Sequence, residues 1–97
     1  MQKQNAKNQT ELKTRAYKYS IKLIGLLDAL PKDMSSQVIA KQLMRSATSI
    51  GANIVEAQAS SSKRDFTNYF SHALKSANES LYWLGLLRDT KKVNNPG

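Results

Sequence analysis

The amino-acid sequence predicts an all-α protein, an antiparallel up-down bundle of three long helices. Apolar residues recur at steps of three and four in three separate segments, and the period-two alternation of strands is almost absent. The segments are parted by two short polar connections, "PKDMSS" and "ASSSKRDF", of the length that makes consecutive helices antiparallel neighbours.

The first helix is expected over about residues 11–30. Leu12, Ala16, Tyr19, Leu23, Leu26 and Leu30 form a bundle seam there, widened by Ile24 and Leu27. Pro31 stops it, since proline lacks the N–H and clashes with the preceding turn. The second is expected over about 36–58, capped by Ser35 or Ser36, with Ile39, Leu43, Ala47, Ile50, Ile54 and Ala57 inward. Gly51 inside it costs about 1 kcal/mol relative to alanine, which suggests a close helix contact or a slight bend. The third is expected over about 63–90, opened by Ser62 and Asp65 as a capping box. Phe66, Phe70, Ala73, Ala77, Leu84 and Leu87 point inward, and Tyr69, Leu74, Leu81, Trp83 and Leu86 make its apolar surface wider than one seam. A helix apolar on more than one side needs more neighbours than this chain supplies, so an oligomer is expected. Residues 1–10 read as a basic flexible N-terminal arm and 91–97 as a C-terminal tail, flanking a bundle domain over 11–90.

At 97 residues the chain is one domain at most, able to bury roughly 65% of its unfolded surface. It has no cysteine, which excludes disulfides, thiolate metal sites and a cysteine nucleophile, and fits a cytoplasmic setting. The polar start "MQKQNAKNQTELKTR" is no secretory signal, and the longest apolar run, Leu23 to Leu27, is far short of the roughly 20 residues of a membrane span. A soluble protein without membrane contact is expected.

Catalysis finds no residues to run on. His72 is the lone histidine and has no carboxylate cluster beside it; Ser60, Ser61 and Ser62 make a turn and a cap; the four glycines form no phosphate loop. No enzyme, metal or cofactor is therefore expected. The row Arg45, Ser49, Asn53 and Glu56 shares one face of the second helix. It reads as a hydrogen-bonded row at a helix or subunit interface rather than a site, because a single Glu without a partner acid is poor material for acid–base chemistry.

Charge is the informative quantity. Fifteen Lys and Arg against seven Asp and Glu leave +8, and residues 1–22 hold six of those cations against Glu11 alone. A field of that sign attracts nucleic acid or an anionic membrane surface. Lys13, Arg15, Lys18, Lys22, Lys41, Arg45, Lys63, Arg64 and Lys75 are the candidate phosphate contacts. The rival expectation is a protein-binding adaptor whose apolar groove accepts a partner helix, the charge being incidental.

The segments "KQLMRSATSIGANIVEAQASSSKRDF" and "ALKSANESLYWLGLL" resemble the four-helix bundle proteins encoded in intervening sequences of bacterial 23S ribosomal RNA genes, which are also similar to accessory proteins of diversity-generating retroelements. The resemblance spans Leu12 to about Leu87 and is strongest from Gln42 to Phe66. The family pattern maps onto Gln42, Leu43, Arg45, Ser49, Ile50, Asn53, Ile54, Glu56, Ser62, Asp65 and Phe66, and departs at Met44, Gly51 and Ala57, where many members carry Arg, Pro and Gly. The resemblance implies a non-enzymatic bundle that assembles as a homopentamer, a basic surface for RNA or DNA and, in the retroelement branch, a reverse transcriptase as partner. It also implies a fourth helix beyond Asn95, which is absent from this sequence; the chain is then a shortened member or a fragment, or another subunit fills the place.

Overall fold

The computed structural model describes the backbone of residues 2–93 and the side chains of residues 11–93. Within them the chain forms α1 (Gln2–Asp28), α2 (Met34–Ala59) and α3 (Lys63–Asp89), all packed through α2. No strand occurs among the described residues, and none of their helices is long and apolar enough to cross a membrane.

The ends of the helices differ from expectation in instructive ways. α1 starts at Gln2 rather than near residue 11, because no Gly or Pro interrupts residues 2–10 and Gln, Lys and Ala all tolerate a helix. It ends at Asp28, and Ala29 and Leu30 instead donate to the carbonyls of Leu26 and Leu27 in a tightened last turn, since the residue before Pro31 is pushed away from helical geometry. α2 is capped by Asp33, not by a serine. The Asp33 carboxylate accepts from the Ser36 amide at 3.2 Å and from the Ser35 hydroxyl at 2.9 Å, so the helix begins two residues earlier than the serines imply. α3 opens as expected, with the Ser62 hydroxyl accepting from the Asp65 amide at 3.1 Å.

α3 closes in a Schellman turn. Lys92 N–H reaches the Leu87 carbonyl at 2.9 Å, Lys91 N–H reaches the Arg88 carbonyl at 3.1 Å, and Lys91 takes the left-handed conformation at φ 60°. The turn brings the Lys92 ammonium onto Asp33 at 2.9 Å, tying the end of α3 to the start of α2.

The core has two parts. Leu23 and Leu27 of α1, Leu30 just beyond it, Leu43 and Ala47 of α2 and Leu87 of α3 cluster where all three helices meet, and Leu43 and Leu87 are fully buried. Removing a leucine side chain here costs about 2–5 kcal/mol. At the other end Ala16, Ile54 and Ala73 meet, with Ile50 against them. A methyl group placed on Gly51 would stand 3.7 Å from that of Ala16, so two small residues let α1 and α2 approach.

Polar residues also belong to this interior. Ser46 and Ser80 are buried, their hydroxyls 2.9 Å apart across α2 and α3. Ser80 donates to the Ser76 carbonyl at 2.9 Å. Ser36 is buried as well. Short side chains at these places allow the close α2–α3 contact, and the hydroxyl pair sets its register.

α1 and α3 do not approach each other by backbone. Between them an apolar seam lies open, bordered on α1 by Leu12, Tyr19 and Leu26 at steps of seven, each more than a third exposed. On α3 the half-buried Phe70, Ala77 and Leu84 follow the same period, and Leu74 and Leu81 beyond them are 57% and 67% exposed. Burial by the seam raises the titration of the Tyr19 hydroxyl above its ordinary value.

Candidate nucleic-acid interface

All nine basic residues singled out by charge are exposed, but the fold does not gather them into one patch. Arg15, Lys18 and Lys22 stand at steps of three and four and so share one flank of α1, beside the open seam. No carboxylate pairs with them among the described residues; Glu11, one turn before Arg15, is the strip's own acidic residue. Seven residues at 1.5 Å each span about 10 Å, the axial reach of roughly three phosphates at 3.4 Å per nucleotide of one duplex strand.

Lys13 does not join that strip. It lies across the helix, in a groove of about 590 Å³ between α1 and α2. Thr14, Tyr17 and Ser20 of α1 line the groove with it, facing Thr48, Gly51, Ala52 and Val55 of α2. Lys63 and Arg64 occupy the first turn of α3, where cations meet the positive end of the helix dipole, and Lys75 lies three turns further on. Lys41 and Arg45 share the outer face of α2.

Arg45 is committed elsewhere. Its guanidinium pairs with Glu79 of α3 and donates to the Gln42 side-chain oxygen at 3.1 and 3.3 Å. The same Glu79 oxygen accepts from the Trp83 indole N–H at 2.8 Å. The indole N–H, with Arg45 beside it, holds the Glu79 carboxyl below the usual carboxylate range. Gln42 with Arg45, and Glu79 with Trp83, are one-turn pairs that sequence reasoning passed over; their meeting across α2 and α3 required the register set by Ser46 and Ser80.

The row on α2 is bonded along the helix rather than across it. Ser49 donates to the Arg45 carbonyl and Asn53 to the Ser49 carbonyl, each at 2.8 Å, while Glu56 is exposed and makes no hydrogen bond or ion pair among the described residues. Each hydroxyl or amide turned back onto its own helix is satisfied there. His72 is exposed on α3, and among the described residues no three His, Cys, Asp or Glu side chains gather as a metal site would need.

A bundle with this seam pattern and this run of residues on α2 matches a known family: the model of the 23S rRNA-intervening sequence protein covers residues 8–96. The chain belongs to that family. Among solved structures it is similar to a protein of unknown function from the S23 ribosomal protein family of Bacteroides thetaiotaomicron VPI-5482. The two share 38% identity at a TM-score of 0.83, over 90% of this chain and 78% of that one. No curated protein matches. For this member of the 23S rRNA-intervening sequence family, the Arg15–Lys18–Lys22 strip is the one place where the fold brings three candidate cations together, and Lys13 marks a second, separate place.

Proposed function

We propose that the chain is a non-enzymatic, homo-oligomeric basic scaffold that engages RNA or DNA through phosphate contacts. The observation that carries this reading is the exposed strip of Arg15, Lys18 and Lys22, unpaired by any carboxylate among the described residues on a chain of net charge +8. Such a strip reads backbone charge and not base identity. The homopentamer and the reverse-transcriptase partner of the family resemblance belong to the same proposal, supported by the apolar seam left open between α1 and α3.

Phosphate binding has a direct test in its salt dependence, since log K falls with log salt by about 0.7 per phosphate contact on single strands and about 0.9 on duplex. Replacing Arg15, Lys18 and Lys22 by Gln removes three charges at little cost in helix propensity, so the slope should shrink by up to about two units on single strands. A slope that does not change places the binding on another face. Absence of binding to RNA and DNA at low salt would falsify the reading.

The adaptor reading rests on the same seam, because Leu74 and Leu81 stay more than half exposed beside it. Light scattering separates the two: a scaffold that fills its seam with another copy is larger than 10.8 kDa at micromolar concentration. A stable monomer without nucleic-acid affinity favours the adaptor.

A further inference from the structure

The groove between α1 and α2 lies on the side of the molecule away from the open seam, and the Arg15–Lys18–Lys22 strip does not reach into it. On the α2 side Gly51, Ala52 and Val55 line it with apolar surface beside the Thr48 hydroxyl. Tyr17 also lines it, with 69% of its surface exposed. The charged residue of the lining is Lys13, and no carboxylate lines it. The volume of about 590 Å³ falls within the roughly 300–1,000 Å³ typical of small-molecule sites.

Two hydroxyls at the groove already spend their protons. Ser20 donates to the Ala16 carbonyl at 3.1 Å and Thr48 to the Met44 carbonyl at 2.6 Å, which leaves their oxygen lone pairs as acceptors. Apolar surface, an exposed aromatic ring, hydroxyl acceptors and one ammonium match a flat aromatic ring system that carries amino donors and is attached to a phosphate. The geometry points to a nucleobase-stacking subsite: a base of single-stranded nucleic acid lies on Tyr17, and Lys13 meets the phosphate beside it. Duplex is excluded from the subsite, because its bases are already stacked. The inference deepens the nucleic-acid reading and rests on it; it assigns to the α1–α2 face a contact that phosphate neutralisation on the Arg15–Lys18–Lys22 strip does not supply.

Ser20 and Thr48 as acceptors favour adenine, cytosine and guanine, which offer exocyclic amino groups, over uracil. Stacking of a base on an aromatic side chain is lost on truncation to alanine with a change of about five- to 150-fold in affinity, and it is not a charge effect. The salt slope should therefore be indifferent to Tyr17, whereas it should respond to Lys13.

The test uses the full chain and a fluorescently labelled oligoadenylate RNA, titrated by anisotropy across a salt series, together with the same strand carrying abasic sites. Tyr17→Ala should weaken binding about five- to 150-fold with an unchanged slope. Tyr17→Phe should retain the affinity. The abasic strand should bind the wild type as weakly as the intact strand binds Tyr17→Ala. Intact binding with a normal salt slope that ignores both Tyr17→Ala and the abasic sites would overturn the subsite while leaving the phosphate reading in place. Loss of affinity in Tyr17→Ala that comes with a drop in particle mass by light scattering would also overturn it, since the groove would then be a contact between copies. A wild-type chain that binds no RNA at low salt overturns both readings together.

Discussion

The buried hydroxyl pair of Ser46 and Ser80 makes an asymmetric prediction. Two protons are available and their acceptors are unequal. Ser80 has the Ser76 carbonyl at 2.9 Å, whereas the alternative acceptor for Ser46, the Leu43 carbonyl, is at 3.4 Å. Ser80 therefore donates to Ser76, and Ser46 donates across the interface to Ser80 at 2.9 Å. Ser46→Ala removes a donor and leaves Ser80 still satisfied, at a cost of about 0.5–1 kcal/mol. Ser80→Ala strands the Ser46 hydroxyl in the interior with a poor acceptor and is expected to cost about 1–2 kcal/mol. In the double change neither hydroxyl of the pair is left wanting, so its cost should fall short of the sum by about 1 kcal/mol. The gain of a few tenths in helix propensity on going from Ser to Ala lowers each single value and cancels in the cycle. Urea unfolding read by the fluorescence of Trp83, the one tryptophan in the chain, measures all four proteins. Additive costs, or a larger loss for Ser46→Ala than for Ser80→Ala, would refute the assignment of the protons.

Gly51→Ala should raise stability by about 1 kcal/mol in the same urea assay, because the new methyl meets Ala16 at 3.7 Å, an ordinary contact, and the helix gains propensity; a loss would mean that α1 and α2 cannot yield there. Lys91→Gly should also stabilise by about 1 kcal/mol, since glycine takes the left-handed C′ position without the clash that lysine suffers, and an unchanged midpoint would contradict the Schellman turn. Asp33 accepts from Lys92 and from Ser36 and Ser35, which holds its carboxyl well below the usual range. Its contribution is thus complete above the ordinary value of 3.8 and is lost as the pH falls through the lowered folded value. Asp33→Asn keeps a capping oxygen but has no proton to gain there, so its unfolding midpoint should depend less steeply on pH below about 4; parallel acid limbs in the two proteins would count against the Lys92 tie.

Residues whose chemistry agrees with their place were legible in the sequence. Leu23, Leu30, Leu43, Ala47, Ile54, Ala57, Ala73 and Leu87 sit in the seam positions their spacing implies, and all are buried. Leu12, Tyr19 and Leu26 follow the same spacing yet border the open seam, because periodicity marks an apolar face without saying whether a neighbour covers it. Ser46 and Ser80 were missed for the opposite reason. Ser46 fills the slot between Leu43 and Ile50, and Ser80 lies seven residues from both Ala73 and Leu87, but a hydroxyl reads as solvent-facing until a partner hydroxyl is known to oppose it. A small polar residue in a seam slot is the signal that would have found them. Charge meets a similar limit: helical spacing joins Arg15, Lys18 and Lys22 and sets Lys13 apart, whereas the capture of Arg45 by Glu79 depends on residues more than thirty positions away.

The way the three helices share α2 also orders how they come apart. α2 and α3 are fastened along their length by the serine pair, by Glu79 with Arg45, and by Lys92 with Asp33, while α1 holds to α2 through a narrower line of Ala16, Leu23 and Leu27, with Leu30 just beyond it. Native-state hydrogen exchange should therefore find the amide protons of α1 exchanging first, through an opening that leaves the α2–α3 hairpin closed. The cations of the α1 strip ride on that least secured element. A polyanion that grips Arg15, Lys18 and Lys22 in the docked helix favours the closed form by mass action, and so braces the part of the molecule most ready to peel away.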